Sequence, residues 1–374
     1  MKIMLVAGGT GGHINPAVAV AQELKRLDPD CEILFVGTKG RMETRIVPQA
    51  GFEIKTVEMN GFSRNLSPKG IAENFKTVYL TLKASSDAKK IISEFSPDAV
   101  VGFGGYVTGP VLRAAAKMGI KTAIHEQNAF PGVANKTLAK FVDKVMLTVG
   151  AAEKYMKCKN PPVVTGLPVR RDIVKADRDF ARATLKVGSD KMLVLSMGGS
   201  LGAEAINNAV TEVITSLHTD KSIHFIHATG QYGKWVVDKL KENGVPFGEG
   251  TNVDIREYIN DMDVCLPACD LVISRAGASS ISEIQALSKP SILIPSPNVA
   301  ENHQYHNAMA LAQNDGALLI EEKDLSGEKL TQTVLELKNN REKLLSIGKN
   351  AGGEAKLNAL SEICRIITSL ADSQ

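Results

Sequence analysis

Two glycine-rich segments carry the clearest capacity for chemistry in this chain. Gly8-Gly9-Thr10-Gly11-Gly12-His13 follows the apolar run Ile3–Ala7 and leads into a helical pattern from Asn15 and Pro16. Gly198-Gly199-Ser200-Leu201-Gly202 follows Met192–Met197 and leads into a second helical pattern through Ala203 to Ile214. A buried strand, a glycine turn and a helix start in succession aim bare backbone N–H groups and the positive helix end at one point. That point favours a phosphate. One such segment opens each half, so the sequence predicts two nucleotide-type domains facing each other across a cleft. That arrangement suits moving a group from a phosphorylated donor to a second substrate. His13 stands just past the last glycine, where a neutral imidazole could take a proton from an attacking hydroxyl or merely cap the helix start.

Further polar clusters sit where strands should end. Gly102-Phe103-Gly104-Gly105-Tyr106-Val107-Thr108-Gly109-Pro110 is a second glycine turn in the first half, and two such turns at one sheet edge could hold a diphosphate. His125-Glu126-Gln127-Asn128 follows the run Thr122–Ile124, and reads either as a face for a polar ligand or as a loop held by its own side-chain bonds. In the second half, Ser274-Arg275-Ala276-Gly277-Ala278-Ser279-Ser280 opens a helix with small residues, and Glu283, one turn in, could accept bonds from both hydroxyls of a ribose. Glu301, His303 and His306 have spacing on which a metal site is conceivable, although a loop presenting Asn302 or Gln304 to sugar hydroxyls fits the segment better. Asp261-Met262-Asp263 has the spacing of a metal-binding pair but no strand end before it, so no obligatory metal and no cofactor are expected.

The elements that must position these groups follow from periodicity. Short apolar runs alternate with longer amphipathic ones, the pattern of parallel βαβ units. Strands are predicted near 3–7, 32–36, 53–57, 98–102, 121–124 and 143–148, then near 192–197, 222–227, 252–255, 270–273, 291–294 and 317–320. A chain of 374 residues exceeds one ordinary core, so two domains are expected, with a linker around Val164–Arg171. A last amphipathic helix, roughly Ala355–Leu370 after Gly352-Gly353, could cross back onto the first domain.

Composition bounds the alternatives. The net charge is only +3, yet residues 1–166 carry 22 Lys/Arg against 14 Asp/Glu, and residues 167–374 carry 22 against 27. A basic first half suits an anionic surface or substrate and gives no sign of nucleic acid. The five cysteines are odd in number, with no CxxC, and read as reduced thiols. No window reaches the ~18 apolar residues of a membrane span, so any membrane contact is peripheral. Between 64 and 90, Arg64, Lys69, Lys76, Lys83, Lys89 and Lys90 surround a stripe of Ile71, Phe75, Val78, Tyr79 and Leu82. Such a helix either rests on anionic lipid or packs with a solvated charged face, and pattern alone favours packing. The first glycine turn lacks the G-x-G-x-x-G spacing, and Val36-Gly37-Thr38 offers no acid for a ribose, which argues against a dehydrogenase.

Five segments in order, G-G-T-G-G-H-I-N-P, G-F-G-G-Y-V-T-G-P, H-E-Q-N-A-F-P-G-V-A-N-K, M-G-G-S-L-G-A and S-R-A-G-A-S-S-I-S-E-I, closely resemble the MurG family of peptidoglycan N-acetylglucosaminyltransferases. The resemblance runs through nearly the whole chain. It implies an α/β chain of the GT-B glycosyltransferase fold, two Rossmann-like doubly wound parallel-sheet domains. Residues 1–166 would form an acceptor and membrane-associating domain, with helix 355–374 packing back on it, and 167–354 the UDP-GlcNAc-binding domain. The reaction implied is inverting transfer of GlcNAc from UDP-GlcNAc to the 4-hydroxyl of MurNAc in undecaprenyl-linked lipid I, giving lipid II, at the cytoplasmic side of the cell membrane. By the same resemblance Thr10, Gly11, Gly12, Asn128, Arg170, Ser200, Ile259, Ala278, Ser279, Ser280, Ile281, Ser282, Glu283 and Gln304 fall at UDP-GlcNAc contacts. Ile259 would meet uracil through its backbone. Gly9, Gly104, Gly105 and Tyr106 would meet the acceptor diphosphate. Lys69, Ile71, Phe75, Lys76, Tyr79, Leu82 and Lys83 become the membrane patch, and cell-wall synthesis or division proteins are further candidate partners. His13 is the first choice of base, with His125 or Glu126 behind it, and Arg275 stands near the leaving diphosphate. One departure is Leu167, where the family usually has Asn. Outside this family, a UDP-sugar epimerase or small-molecule glycosyltransferase, and a non-catalytic sugar-nucleotide sensor, remain alternatives.

Overall fold

Strand residues in both halves are buried on alternate faces, which only helices on both sides of a sheet can arrange. The computed structural model describes residues 1–61, 67–353 and 355–373, without the side chains of residues 68–76 and 171. The chain divides into two units, Met1–Pro168 with Lys356–Gln374, and Val169–Ala355.

In the first unit the strands are β1 (Lys2–Ala7), β2 (Glu32–Thr38), β3 (Glu53–Val57), β4 (Ala99–Gly104), β5 (Lys121–Glu126), β6 (Lys144–Leu147) and β7 (Val163–Val164). They pair in parallel in the order β3-β2-β1-β4-β5-β6-β7. Along β1, Ile3, Leu5 and Ala7 share one core with Val20 and Leu24 of the Gly11–Leu27 helix. Met4 and Val6 face the other way, toward Ala84, Ala88 and Ile92 of the Pro68–Phe95 helix and Val111 and Leu112 of the Thr108–Lys117 helix. The Ala359–Ala371 helix closes the first core with Ile363, Cys364, Ile366, Ile367 and Leu370. Each fully buried Ile or Leu is worth about 1.5–3 kcal/mol, so this helix is integral to the unit. Gly166 takes a positive φ of 82°, and Lys356 packs where its side chain would be.

The second unit holds β8 (Met192–Met197), β9 (Ile223–Ala228), β10 (Val253–Arg256), β11 (Leu271–Ser274), β12 (Ser291–Leu293) and β13 (Leu318–Leu319), parallel in the order β10-β9-β8-β11-β12-β13. Val194 packs with Ile206, Val210 and Ile214 of the Glu204–Leu217 helix, while Leu193 and Leu195 pack with Leu266 and Ile284 on the other side.

Each of the twelve predicted runs holds a strand, and β7, two residues long, was not foreseen. Gly352 and Gly353 do come before the last helix, which starts at Ala359. They finish the Arg341–Gly353 helix, and Gly352 is small because the Ser288 side chain lies against it.

In both sheets the strand order reverses beside the first strand, between β1 and β4 and between β8 and β11. Ligands of open parallel sheets bind outside the carboxyl ends of strands at such switch points. All four glycine or small-residue turns singled out above follow β1, β4, β8 or β11.

Candidate functional site

In the first unit the turns after β1 and β4 touch each other. Gly8 N–H donates to Gly104 O at 3.2 Å, and Gly105, at φ +89°, lies so close to Gly8 O that no side chain fits. Gly104, at φ +111°, lies under the imidazole of His13, and a Cβ on it would stand 2.6 Å from Cδ2. His13 Nδ1 is 3.0 Å from Gly8 O and 3.3 Å from Thr10 Oγ1. A carbonyl oxygen can only accept, so that bond puts the proton on Nδ1 and makes Nε2 the basic nitrogen. The helix behind begins at Gly11 with Thr10 as an extended N-cap whose side chain makes no cap bond, and its first turn holds no acid. Gly12 is exposed and Gly11 partly so, leaving an uncapped positive helix end at the surface.

Gly9 is a correction. Its N–H donates to Glu43 Oε2 at 3.2 Å, so it is not a free donor for the acceptor diphosphate. Tyr106 is 58% exposed and its ring lies over Gly61.

His125 and Glu126 also need correcting. His125 is 0% exposed, stacked on Phe103, with Nε2 2.8 Å from Gly166 O and Nδ1 3.2 Å from Gln127 Nε2. Burial holds its pKa down to about 4, partly countered by the Gly166 bond. Glu126 is buried as well and accepts from Asn128 N–H, Asn128 Nδ2, Gly132 N–H and Asn135 Nδ2. Burial pushes its carboxyl up, and those four donors pull it back. Groups sealed from solvent in this way do not reach a substrate hydroxyl. They shape the loop that carries Asn128, as the loop-holding alternative had it. Leu167, where the family usually has Asn, is buried too.

In the second unit the turn after β8 is clasped by the one after β9: Gln231 and Tyr232 N–H donate to Ser200 O and Leu201 O, both at 3.1 Å. Gly199 and Gly202 take φ of +95° and +87°, leaving Gly199 and Ser200 exposed. The helix starts only at Glu204, so Ser200 belongs to the turn and not to a helix end, and an acid sits in that first turn. The Ala278–Ala286 helix is different. Its N-cap is Gly277, it has no side-chain cap and no acid in its first turn, and Ala278, Ser279 and Ser280 are partly exposed. This is the better anion cradle of the two. Ile281 and Ser282 turn inward and are buried. Ile259 is core, so only its backbone is available to a ligand.

Glu283 lies mostly buried with Oε1 3.2 Å from Arg170 Nε. Burial raises its carboxyl, and Arg170 opposes the rise. Gln304 Oε1 accepts from Ser296 N–H at 2.9 Å, which ties the Pro295–Pro297 loop to the His303–Ala312 helix. Arg275 spends its charge inside the unit, on Ile294 O, Pro295 O and the carboxylate of Glu322, and so pins that loop instead of standing ready for a leaving diphosphate. His303 Nδ1 lies 2.8 Å from Ala300 O and Asp261 accepts from Arg256. Among the described residues no three His, Cys, Asp or Glu gather closely enough to hold a metal ion.

On the Pro68–Phe95 helix, Tyr79 and Leu82 are 64% and 68% exposed with Val78 beside them, and Lys83 Nζ bonds Glu58 at 2.8 Å. The side chains of Lys69, Ile71, Phe75 and Lys76 lie outside the described residues. No helix among the described residues is long and apolar enough to cross a membrane. Sequence reasoning missed Glu43, which accepts from Thr38 N–H and from Gly9 N–H beyond the neighbouring strand, Asn135, which donates to Glu126, and Glu322, which pairs with Arg275; none of these bonds has a sequence signature.

The chain matches known proteins over nearly all of its length. Residues 3–147 match the glycosyltransferase family 28 N-terminal domain and residues 193–363 its C-terminal domain. A protein of Desulforamulus reducens named UDP-N-acetylglucosamine--N-acetylmuramyl-(pentapeptide) pyrophosphoryl-undecaprenol N-acetylglucosamine transferase is 42% identical over 375 residues, covering all of both chains. A protein of the same name from Acetivibrio thermocellus is 44% identical over 99% of this chain and 98% of its own. The crystal structure of MurG from Acinetobacter baumannii superposes with a TM-score of 0.79 at 27% identity, over 98% of this chain and 99% of that one. A UDP-GlcNAc 2-epimerase from Neisseria meningitidis reaches 0.66 at 14% identity, covering 99% of this chain and 100% of that one, a likeness of fold alone. With both domains matched in order and full-length relatives above 40% identity, the chain belongs to glycosyltransferase family 28, in the MurG family of N-acetylglucosamine transferases.

Proposed function

We propose that the chain transfers N-acetylglucosamine from UDP-N-acetylglucosamine to the 4-hydroxyl of the N-acetylmuramyl sugar of lipid I, producing lipid II for peptidoglycan. The observation that carries this reading is the seating of a small-residue turn at both strands flanking each switch point, beside full-length relatives named for the reaction. The second unit takes the donor. Its uncapped helix start at Ala278–Ser280 and the exposed Gly199–Ser200 turn serve the diphosphate, the Ile259 backbone serves uracil, Glu283 with Arg170 serves the ribose, and Gln304 the sugar. The first unit takes the acceptor, with Gly104, Gly105 and Tyr106 around its diphosphate, while Thr10, Gly11, Gly12 and Asn128 remain proposed contacts of UDP-N-acetylglucosamine.

As the bond from the anomeric carbon to UDP breaks, negative charge grows on the leaving diphosphate, and the helix dipole at Ala278 stabilises it. On the opposite face the acceptor hydroxyl loses its proton to His13 Nε2, the nitrogen that the Nδ1–Gly8 bond leaves basic. A single displacement inverts the anomeric centre. Exposed Val78, Tyr79 and Leu82 support peripheral seating on an anionic membrane at its cytoplasmic side, where a lipid-linked acceptor is reached. Docking of cell-wall or division proteins belongs to the same reading.

The test is incubation with UDP-N-acetylglucosamine and lipid I in mixed micelles. UDP release matched by lipid II formation is expected, with turnover falling by about 10²–10⁴-fold in His13→Ala. UDP-sugar turnover without acceptor, or no lipid II in any detergent, would overturn it.

A further inference from the structure

Glu43 opens the Glu43–Gln49 helix directly after β2, and its side chain is 0% exposed. A carboxylate sealed from water needs donors, because an uncompensated buried charge is strongly unfavourable. Its donors come from two strand ends: Thr38 N–H lies 2.9 Å from Oε1, and Gly9 N–H lies 3.2 Å from Oε2. Two glycines make its room. A Cβ on Gly8 would stand 2.7 Å from Oε1, and one on Gly37 would stand 2.6 Å from Cγ.

Joining β1 to β2 needs no charge, since their backbones already pair from Lys2 to Val6. The carboxylate does something else. Gly8 O and Gly9 N–H belong to one planar trans peptide, so they point in opposite directions. The N–H is held by Glu43, and the C=O is 3.0 Å from His13 Nδ1. A charged acceptor at one end of a peptide polarises it and strengthens the bond its carbonyl accepts at the other. The same relation between a carboxylate, a fixed imidazole tautomer and a more basic far nitrogen recurs wherever a second group orients a working histidine. Here one peptide stands between them.

The geometry points to Glu43 as a positioning residue that orients His13, holds the proton on Nδ1 and increases the basicity of Nε2, all through the Gly8–Gly9 peptide. This rests on the proposed role of His13 as the base. Glu43 touches no substrate. It also explains why Gly9 N–H is not part of the phosphate cradle.

The test is a double-mutant cycle of Glu43→Gln and His13→Ala in the full chain, with lipid I and UDP-N-acetylglucosamine. Glutamine keeps the shape but has one acceptor oxygen where two donors need one each. Glu43→Gln is expected to lower kcat by about 10-fold or more while KM for the donor stays within about twofold, part of the 10²–10⁴ a positioned base supplies. In the His13→Ala background the same change should alter kcat by less than about threefold, since groups that act as a unit are not additive. Side-chain ¹⁵N spectra should show the Nδ1–H tautomer of His13 in the parent and a mixture in Glu43→Gln. An unaltered kcat, or an equal loss in both backgrounds, overturns the inference while leaving the base in place. Full turnover by His13→Ala alone removes the base and overturns both readings. Should Glu43→Gln not fold, Glu43→Asp, which keeps the charge but falls one methylene short, goes through the same cycle. Failure of both to fold assigns Glu43 to stability alone and overturns the proposal.

Discussion

A methyl group on Gly104 would meet the imidazole of His13, while one on Gly51 would meet nothing within 4 Å, although both residues take positive φ, +111° and +87°. Alanine at either position costs roughly 1–2 kcal/mol of backbone strain. Only Gly104→Ala also displaces His13. Its kcat is expected to fall by about 10-fold or more, with Gly51→Ala near the parent once both are assayed well below their melting temperatures; equal activities would detach His13 from the reaction. Glu283→Ala removes the proposed ribose partner and is expected to weaken UDP-N-acetylglucosamine binding by roughly 1–3 kcal/mol in calorimetry. Undiminished affinity would take the ribose away from Glu283. At this scale motif residues were legible and their supports were not. His13 and Glu283 stand in recognisable runs, whereas Glu43, in Met42-Glu43-Thr44, looks like any surface helix start. His125 and Glu126 misled because polarity in sequence is the same for a ligand face and for a loop held from within.

The Pro68–Phe95 helix shows how one element can serve two surfaces. Ala84, Ala88 and Ile92 pack it onto the sheet, while Val78, Tyr79 and Leu82 face outward without a core to cover them. Periodicity alone favoured simple packing for that stripe. Exposure argues otherwise, because large apolar groups clustered at a surface mark an interaction site. Tyr79→Ser with Leu82→Ser is therefore expected to reduce sedimentation with phosphatidylglycerol vesicles, each buried side chain being worth up to about 1.5–3 kcal/mol. Unchanged partitioning contradicts a lipid-facing role, and equal binding of the parent to neutral vesicles removes the preference for an anionic surface. Lys83 contributes less than its charge suggests, because Glu58 already neutralises it. Strands were the most legible elements. Runs buried on both faces are continuous and apolar; β7 was missed because its two residues lie between Pro161-Pro162 and Gly166, while the equally short β13 sits in the apolar run 317–320. Glycine is tolerated at the end of the Arg341–Gly353 helix because Ser288 leaves no room for a side chain on Gly352.

Across the whole molecule, the duplicated strand–turn–helix openings made two parallel sheets legible, but not their strand order. The switch points that gather the turns after β1 and β4, and after β8 and β11, arise from long-range pairing that no local pattern encodes. Each sheet also encloses one fully buried histidine that takes no part in the proposed chemistry. His125 lies on β5 against Gly166 O, and His227 lies on β9 with Nδ1 2.9 Å from Ser196 Oγ. Burial holds both pKa values down to about 4, against about 6.5 in an unfolded chain. Between those values the unfolded chain binds protons that the folded one refuses, so stability is complete above about pH 6.5 and declines as pH falls toward 4. By pH 4 the loss is roughly 3 kcal/mol per histidine, one in each unit, for pKa values near 4. Glu126 acts with the opposite sign, since burial raises its carboxyl and acid relieves that cost. Asp220, held at about 2 chiefly by Lys338, begins to matter only below the histidine window. Calorimetric melting is therefore expected to be flat from pH 8 to 7 and to fall steadily from 6.5 to 4.5, with His227→Gln flattening the decline for the second unit. A melting temperature constant across that interval would mean that these two imidazoles titrate as freely in the fold as outside it.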